Sequence, residues 1–303
     1  MKNQFIPVAL KGFGMGAANV VPGVSGGTIA LLTGIYSEIV DAINAFTDGA
    51  TWKSLLKGRF KEVWQKINGN FLVALAVGIL VSVFSLAKLM TYVLTYYPIM
   101  TWAFFFGLII ASSIVMFRDI KGWGVKEVLF VILGVVLGVV VCTLSPTQTT
   151  NDLWFIFVSG AISICTMILP GVSGSFVLLI LGKYDYIMNA ISDFDIPVLL
   201  VFGVGCLVGI LAFAKLLHWL LGRWEKQTLL VLLGFVLGSL IRVWPWSDKL
   251  AIAEAQALRT GVPALEMDLQ IPGAIICCVV GIVLVVGLEL LSKKSDKKPN
   301  PQV

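Results

Sequence analysis

The run Pro22-Gly23-Val24-Ser25-Gly26 returns 148 residues later as Pro170-Gly171-Val172-Ser173-Gly174, both times inside an apolar stretch. Proline and glycine there interrupt the backbone hydrogen-bond ladder. Lipid tolerates the freed N–H and C=O groups only where protein, water or a ligand meets them. A single break reads as a kink, whereas two at corresponding places in two halves of a chain point to a transporter's binding site. The rest of the chain fits a membrane setting: 58% of residues are hydrophobic and 13% charged, with a mean hydropathy of +0.96, far from soluble domains. Six apolar runs, 71–87, 99–117, 128–144, 197–214, 228–241 and 271–288, approach the roughly 20 residues a spanning helix needs. No soluble domain of useful size is left over.

The duplication extends beyond the motif. Residues 12–46 and 160–194 share 13 identities in 35 positions, among them Gly12/Gly160, Gly34/Gly182 and Tyr36/Tyr184. At an offset of 127, Ala87-Lys88-Leu89 matches Ala214-Lys215-Leu216 and Gly107 matches Gly234. Each half therefore reads as a broken segment followed by three spans. If the broken segments do not cross, 16 Lys and Arg fall on the cytoplasmic side and only Lys183, Lys249 and Arg259 on the other; if they cross, the split is 11 to 8. The positive-inside rule prefers the first arrangement. Three crossings per half is odd, so the halves should be inverted. The apolar arms after the breaks, 29–35 and 176–181, cover only about 10 Å. The expected fold is an all-α polytopic membrane protein of two inverted repeats, each a re-entrant helical hairpin plus three transmembrane helices. Repeat 1 is 1–147 (hairpin 5–46, amphipathic helix 51–67), repeat 2 is 148–292 (hairpin 153–194), and 293–303 is a basic tail. Both termini should be cytoplasmic.

At each hairpin tip a helix should begin near Ser25 or Ser173. A helix start offers unpaired N–H groups and the positive end of the dipole, so it attracts anions. Serine is a good N-cap, and glycine lets a ligand oxygen approach the backbone. Two such tips entering from opposite sides would frame a phosphate- or carboxylate-sized site. Ser25, Gly26, Gly27, Thr28, Ser173, Gly174 and Ser175 are the candidate ligands. Asn19 offers an amide donor or a helix–helix hydrogen bond.

The run from Lys11-Gly12-Phe13 through Asn19 to Pro22-Gly23-Val24-Ser25-Gly26-Gly27-Thr28, followed by Gly34-Ile35-Tyr36, resembles the domain-of-unknown-function 368 family, the PopT-type polyprenyl-phosphate transporters. So does Leu169-Pro170-Gly171-Val172-Ser173-Gly174-Ser175-Phe176 with Leu181-Gly182-Lys183-Tyr184. The resemblance covers essentially the whole chain. It implies a flippase that moves undecaprenyl phosphate from the outer to the inner leaflet of the bacterial cytoplasmic membrane, recycling the carrier lipid of cell-wall synthesis. The alternatives are a membrane polyprenyl-pyrophosphate phosphatase and a carrier for a small soluble anion. A phosphatase would need a nucleophile and general-acid set, and the chain has one histidine, His218, and no arginine in either motif.

The remaining charged residues have two readings each. Lys88 and Lys215 are headgroup-capture charges or snorkelling anchors, and Arg242, whose repeat position is Val115, is a third such cation. Glu38, Asp41 and Asp185 are candidates for proton or sodium coupling or caps of interfacial turns. The basic 51–67 stretch should lie on an anionic leaflet. Gly134-x-x-x-Gly138 and Gly234-x-x-x-Gly238 permit close helix packing. Lys11 interrupts the first apolar run, so no cleavable signal is expected. The five cysteines suggest neither metal site nor disulfide framework. No cofactor or nucleic-acid partner is implied; the expected partners are a polyprenyl phosphate lipid and the bilayer.

Overall fold

A computed structural model describes residues 5–20, 25–145, 149–261 and 268–296, and these are helical with no strand among them. Pro22, Gly23 and Val24 of the first motif and the Lys88 side chain lie outside the described residues. By contact the chain divides into two units, Met1–Ala87 with Gly124–Ser239, and Lys88–Trp123 with Leu240–Val303.

The first unit holds both broken segments. α1 (Phe5–Val20) is followed by α2 (Gly26–Leu32) and α3 (Tyr36–Asn44), and α9 (Leu153–Ile168) by α10 (Gly174–Ile180) and α11 (Tyr184–Ser192). Ser25 and Ser173 are N-caps in extended conformation, accepting from the N–H of Gly27 and Phe176. Both short helices end in the same way. Gly34 and Gly182 take left-handed φ of 72° and 62°, and the next residue's N–H reaches five residues back, Ile35 to Ala30 and Lys183 to Leu178. This is the glycine-terminated Schellman arrangement.

The second arm of each hairpin runs back along the first. Gly26 meets Asn19, and Thr33 near the far end meets Lys11. Likewise Ser163 meets Gly174, and Thr149 before α9 meets Leu181. The chain thus returns to the end from which it set out. α6 (Gly69–Tyr96) then runs parallel to α1, since a Cβ at Gly12 would lie 2.4 Å from the Leu75 carbonyl and one at Gly16 2.6 Å from that of Ile79. In the second half the 196–223 arm of α12 (Ile196–Val243) runs parallel to α9, with Gly160 against Phe202 and Gly209 against Ala161. These contacts are repeat-equivalent: Gly78 meets Ala9, and Gly205 meets Phe157.

The spans after each hairpin fold back at matching aromatic residues. Tyr97, ahead of α7 (Pro98–Asp119), has φ −135° and ψ 51°, and Trp224 inside α12 has φ −138° and ψ 52°. Thr101 Oγ1 bonds the Val93 carbonyl at 3.2 Å and Thr228 Oγ1 that of Leu220 at 3.4 Å. In a straight helix, positions eight apart are separated by about 12 Å, so both bonds require a fold-back. α12, 48 residues long, is accordingly two spans. Among the described residues α6, α7, α8 (Val125–Thr143) and α12 are long and apolar enough to cross a membrane. The sixth expected run lies in α14 (Ile271–Asp296).

Helix pairs close on glycine. Gly134 and Gly138 of α8 pack against Val231, Phe235 and Gly238 of the 225–243 arm of α12, in parallel. In the second unit Gly107 of α7 meets Cys278 of α14, and Gly281 meets Phe104, again in parallel. The two GxxxG-type motifs are therefore packing partners. One expectation is corrected: 51–67 is not one helix. It is α4 (Gly49–Leu56) and α5 (Phe60–Lys66), separated where Gly58 takes φ 70° and Arg59 N–H reaches back to Ser54. α13 (Lys249–Thr260), capped by Asp248 and ended by Gly261, precedes α14. None of the five cysteines is in a disulfide.

At Gly78 and Gly205 a Cβ would lie 1.9 and 2.2 Å from facing carbonyl oxygens, while at Gly222 it would meet nothing. Gly78→Val and Gly205→Val should each lose monodisperse protein on detergent extraction. Gly222→Ala should keep it and gain up to about 1 kcal/mol from helix propensity. Size-exclusion profiles and thermal melts check this, and normal behaviour of either valine variant would refute the close packing.

Candidate functional site

The two tips meet. Ser25 Oγ donates to the Leu169 carbonyl at 3.2 Å, and the Gly171 N–H donates to Thr28 Oγ1 at 2.7 Å. Between these bonds Gly27 lies so close to the second tip that a Cβ would sit 2.6 Å from the Ile168 carbonyl. Ser25 and Thr28 are 2% and 1% exposed. Groups freed by the Leu169-Pro170-Gly171 break are thus met by hydroxyls of the other motif copy, as a lipid-embedded break requires. Gly171, at φ 94°, also packs on Ser239 of α12. Val172 and Val177 join Cys142 and Phe235 in a buried cluster behind the tip.

The tips differ in what they leave open. In the first, Gly26 N–H donates to Asn19 Oδ1 at 2.7 Å, Gly27 N–H to Ser25 Oγ at 3.1 Å and Thr28 N–H to the Ser25 carbonyl at 3.0 Å. Asn19 therefore serves as an acceptor that caps the helix start, where the sequence left an amide donor and a helix–helix hydrogen bond as equal readings. In the second tip, Phe176 N–H donates to Ser173 Oγ at 3.3 Å, and the Ser173 and Ser175 hydroxyls lie 3.2 Å apart. Among the described residues nothing accepts from the Gly174 or Ser175 N–H. Ser175 is exposed, and Met167 stands where the first hairpin has Asn19. The open polar groups at the joint therefore belong to Ser173, Gly174 and Ser175.

Among the described residues of the first unit, no other candidate bonds to the joint. Lys215 is exposed on the 196–223 arm of α12, and Arg242 is exposed near the end of that helix. Glu38 accepts from Asn68 Nδ2 at 2.8 Å, and Asp41 pairs with His218 Nδ1 at 2.8 Å; both carboxylates are on α3, beyond the bend from the tip. Asp185 is exposed on α11. The Asp41–His218 pair joins residues 177 positions apart, so no local spacing signals it. Sequence reasoning also passed over Lys183, counting it only as a topology charge. Its signal was present: a lysine ending an apolar arm where the other repeat has Ile35.

Fold and joint define a multi-pass helical membrane protein in which two copies of one broken segment meet. Residues 15–260 match the family described as undecaprenyl phosphate translocase-like. The chain is 38% identical over 307 residues to the Polyprenyl-phosphate transporter of Vibrio cholerae serotype O1, covering 96% of this chain and 98% of that one. It is 34% identical over 254 residues to the Polyprenyl-phosphate transporter of Staphylococcus aureus, covering 78% and 85%. No solved structure matches it. The chain belongs to the undecaprenyl phosphate translocase-like family.

Thr28→Val keeps the shape of the side chain but strands the buried Gly171 N–H, which should cost about 1–3 kcal/mol. A lower melting temperature of the detergent-solubilised protein is the expected result. An unchanged melt would mean that the tips are not joined through this bond.

Proposed function

We propose that this protein is a transporter of polyprenyl phosphate that carries undecaprenyl phosphate from the outer to the inner leaflet of the bacterial cytoplasmic membrane. The observation that carries this reading is the joint itself: two copies of one glycine- and serine-rich break meeting at one point, in a chain whose relatives are named polyprenyl-phosphate transporters. A charged phosphate is costly to place in hydrocarbon without donors. Ser173, Ser175 and the Gly174 N–H offer such donors, and Ser25, Gly26, Gly27, Thr28 and Asn19 hold the facing tip in place. The prenyl tail stays in lipid, so the protein shelters the headgroup alone. Transport needs no covalent step, and the hydroxyls at the joint have no histidine or carboxylate as hydrogen-bond partner among the described residues.

The two halves are read as inverted repeats, and the helix directions support this. Each hairpin's first arm is parallel to the following span, so each hairpin enters and leaves on one side. The 225–243 arm folds back on the 196–223 arm at Trp224, against the entry direction of the second hairpin, and α8 runs parallel to that arm. With α8 taken as the third crossing of its half, the two entry directions are opposed. The 16-to-3 distribution of Lys and Arg supports cytoplasmic termini.

In proteoliposomes with labelled polyprenyl phosphate, a leaflet-resolved assay should show flipping by the protein, with no phosphate released from the pyrophosphate. Gly174→Leu should abolish flipping at normal protein levels, and neutral polyprenol should compete poorly. Phosphate release at a useful rate would move the protein to the phosphatase reading, and full activity of Gly174→Leu would remove the joint from the mechanism.

Single cysteines at Thr149 and Asp193 should label from outside the cell and one at Lys57 only after permeabilisation. Labelling of position 193 from the cytoplasm alone would be incompatible with inverted re-entrant hairpins.

A further inference from the structure

Hairpin 2 carries a cation that the transport reading does not use. Lys183, at the bend between α10 and α11, is 1% exposed and among the largest fully buried side chains. Its Nζ donates to the Thr149 carbonyl at 3.0 Å and to Asn151 Oδ1 at 2.6 Å, and it lies 5.6 and 5.8 Å from the ring centroids of Phe155 and Tyr186. All four partners are neutral, and among the described residues no carboxylate lies within ion-pair distance. Lysine is almost never fully buried unless paired. Burial works against the charge, while two acceptors and two ring faces favour it.

A structural anchor at this bend does not require a charge. The repeat-equivalent residue is Ile35, 3% exposed, and the same Schellman turn forms around it. Hairpin 1 nevertheless has an ammonium at its bend, supplied from elsewhere. Lys11 of α1 donates to the Thr33 carbonyl at 2.9 Å, and Thr33 is the equivalent of Leu181. Both hairpins thus hold a lysine against backbone carbonyls behind the tip, from sequence positions unrelated by the duplication. Each ammonium is satisfied by dipoles, which leaves its net charge uncancelled.

We infer that Lys183 is a positioning cation for the headgroup: it gives hairpin 2 a fixed, unneutralised positive charge that draws a phosphate-bearing lipid to Ser173 and Ser175 without touching it. Seven-residue α10 sets the separation at about 10 Å. At that distance a unit charge near a protein surface still matters. Lys11 gives hairpin 1 the same device. The inference rests on the polyprenyl-phosphate reading.

The test measures binding of polyprenyl monophosphate, polyprenyl pyrophosphate and neutral polyprenol to purified full-length protein in nanodiscs, for wild type, Lys183→Gln, Lys183→Met and Lys183→Arg. Failure of the wild type to bind either phosphate lipid would sink the transport reading itself. Given wild-type binding, Lys183→Gln and Lys183→Met should each weaken the monophosphate on the order of tenfold. The pyrophosphate should weaken more, polyprenol should be unchanged, and Lys183→Arg should bind like wild type. Equal loss for all three lipids, or no loss for either phosphate, would make Lys183 a structural anchor and overturn the inference. Misfolding of both neutral variants beside a folded Lys183→Arg would do the same.

Discussion

Peptide groups freed at a break inside a membrane have few places to go, and here they go to side chains of the first hairpin. The Gly171 N–H finds Thr28, the Leu169 carbonyl finds Ser25, and the Gly26 N–H finds Asn19. Each group left alone in hydrocarbon would cost several kcal/mol. The second tip therefore cannot rest at membrane depth without the first or a ligand. This dependence fixes much of the surrounding chemistry. Gly27 has no room for a Cβ because the second tip's backbone lies against it, whereas its repeat counterpart Ser175 is exposed and keeps a side chain. A duplicated motif has thereby acquired two tasks, closing the joint on one side and presenting donors on the other.

The helices around the joint obey a second constraint, close approach through glycine. Gly12 with Gly160, Gly78 with Gly205, Gly107 with Gly234 and Gly134 with Gly281 all put one helix's Cα face on another's carbonyls. Where the solvent is lipid, association gains little from the hydrophobic effect and depends on packing and polar contact. The fold-backs at Tyr97 and Trp224 use a further paired device, a threonine hydroxyl bonded across the turn.

Much of this was legible in the residues because duplication and topology write long-range information into local spacing. The motif's return after 148 positions located both tips, N-caps Ser25 and Ser173 included. The paired GxxxG-type motifs marked real contacts. The basic amphipathic stretch was harder, because apolar periodicity continues across Gly58, whose left-handed conformation ends the first helix. What spacing could not give were partners chosen by the fold. Asn19 read equally as a ligand donor or a helix–helix hydrogen bond, and its carbonyl accepts at a helix start. His218 looked isolated and is paired with Asp41. Repeat symmetry directed attention to Lys88 and Lys215, whereas the lysines held at the hairpin bends, Lys11 and Lys183, break the repeat.

The crossed packing of the halves has a consequence for how such a chain is made. α8 finds its glycine-tight partner in residues 225–243, and α7 finds its own in α14. The first tip likewise waits for the Leu169–Gly171 backbone. When residue 147 leaves the ribosome, α1 already has α6 to pack against, yet the partners of α7, α8 and the first tip lie in sequence still untranslated. The half-made protein must sit in the membrane with those surfaces uncovered until the second half is made. Biogenesis is therefore governed by the second half of the chain, and a truncated product is left with a polar tip and glycine seams that lipid cannot satisfy.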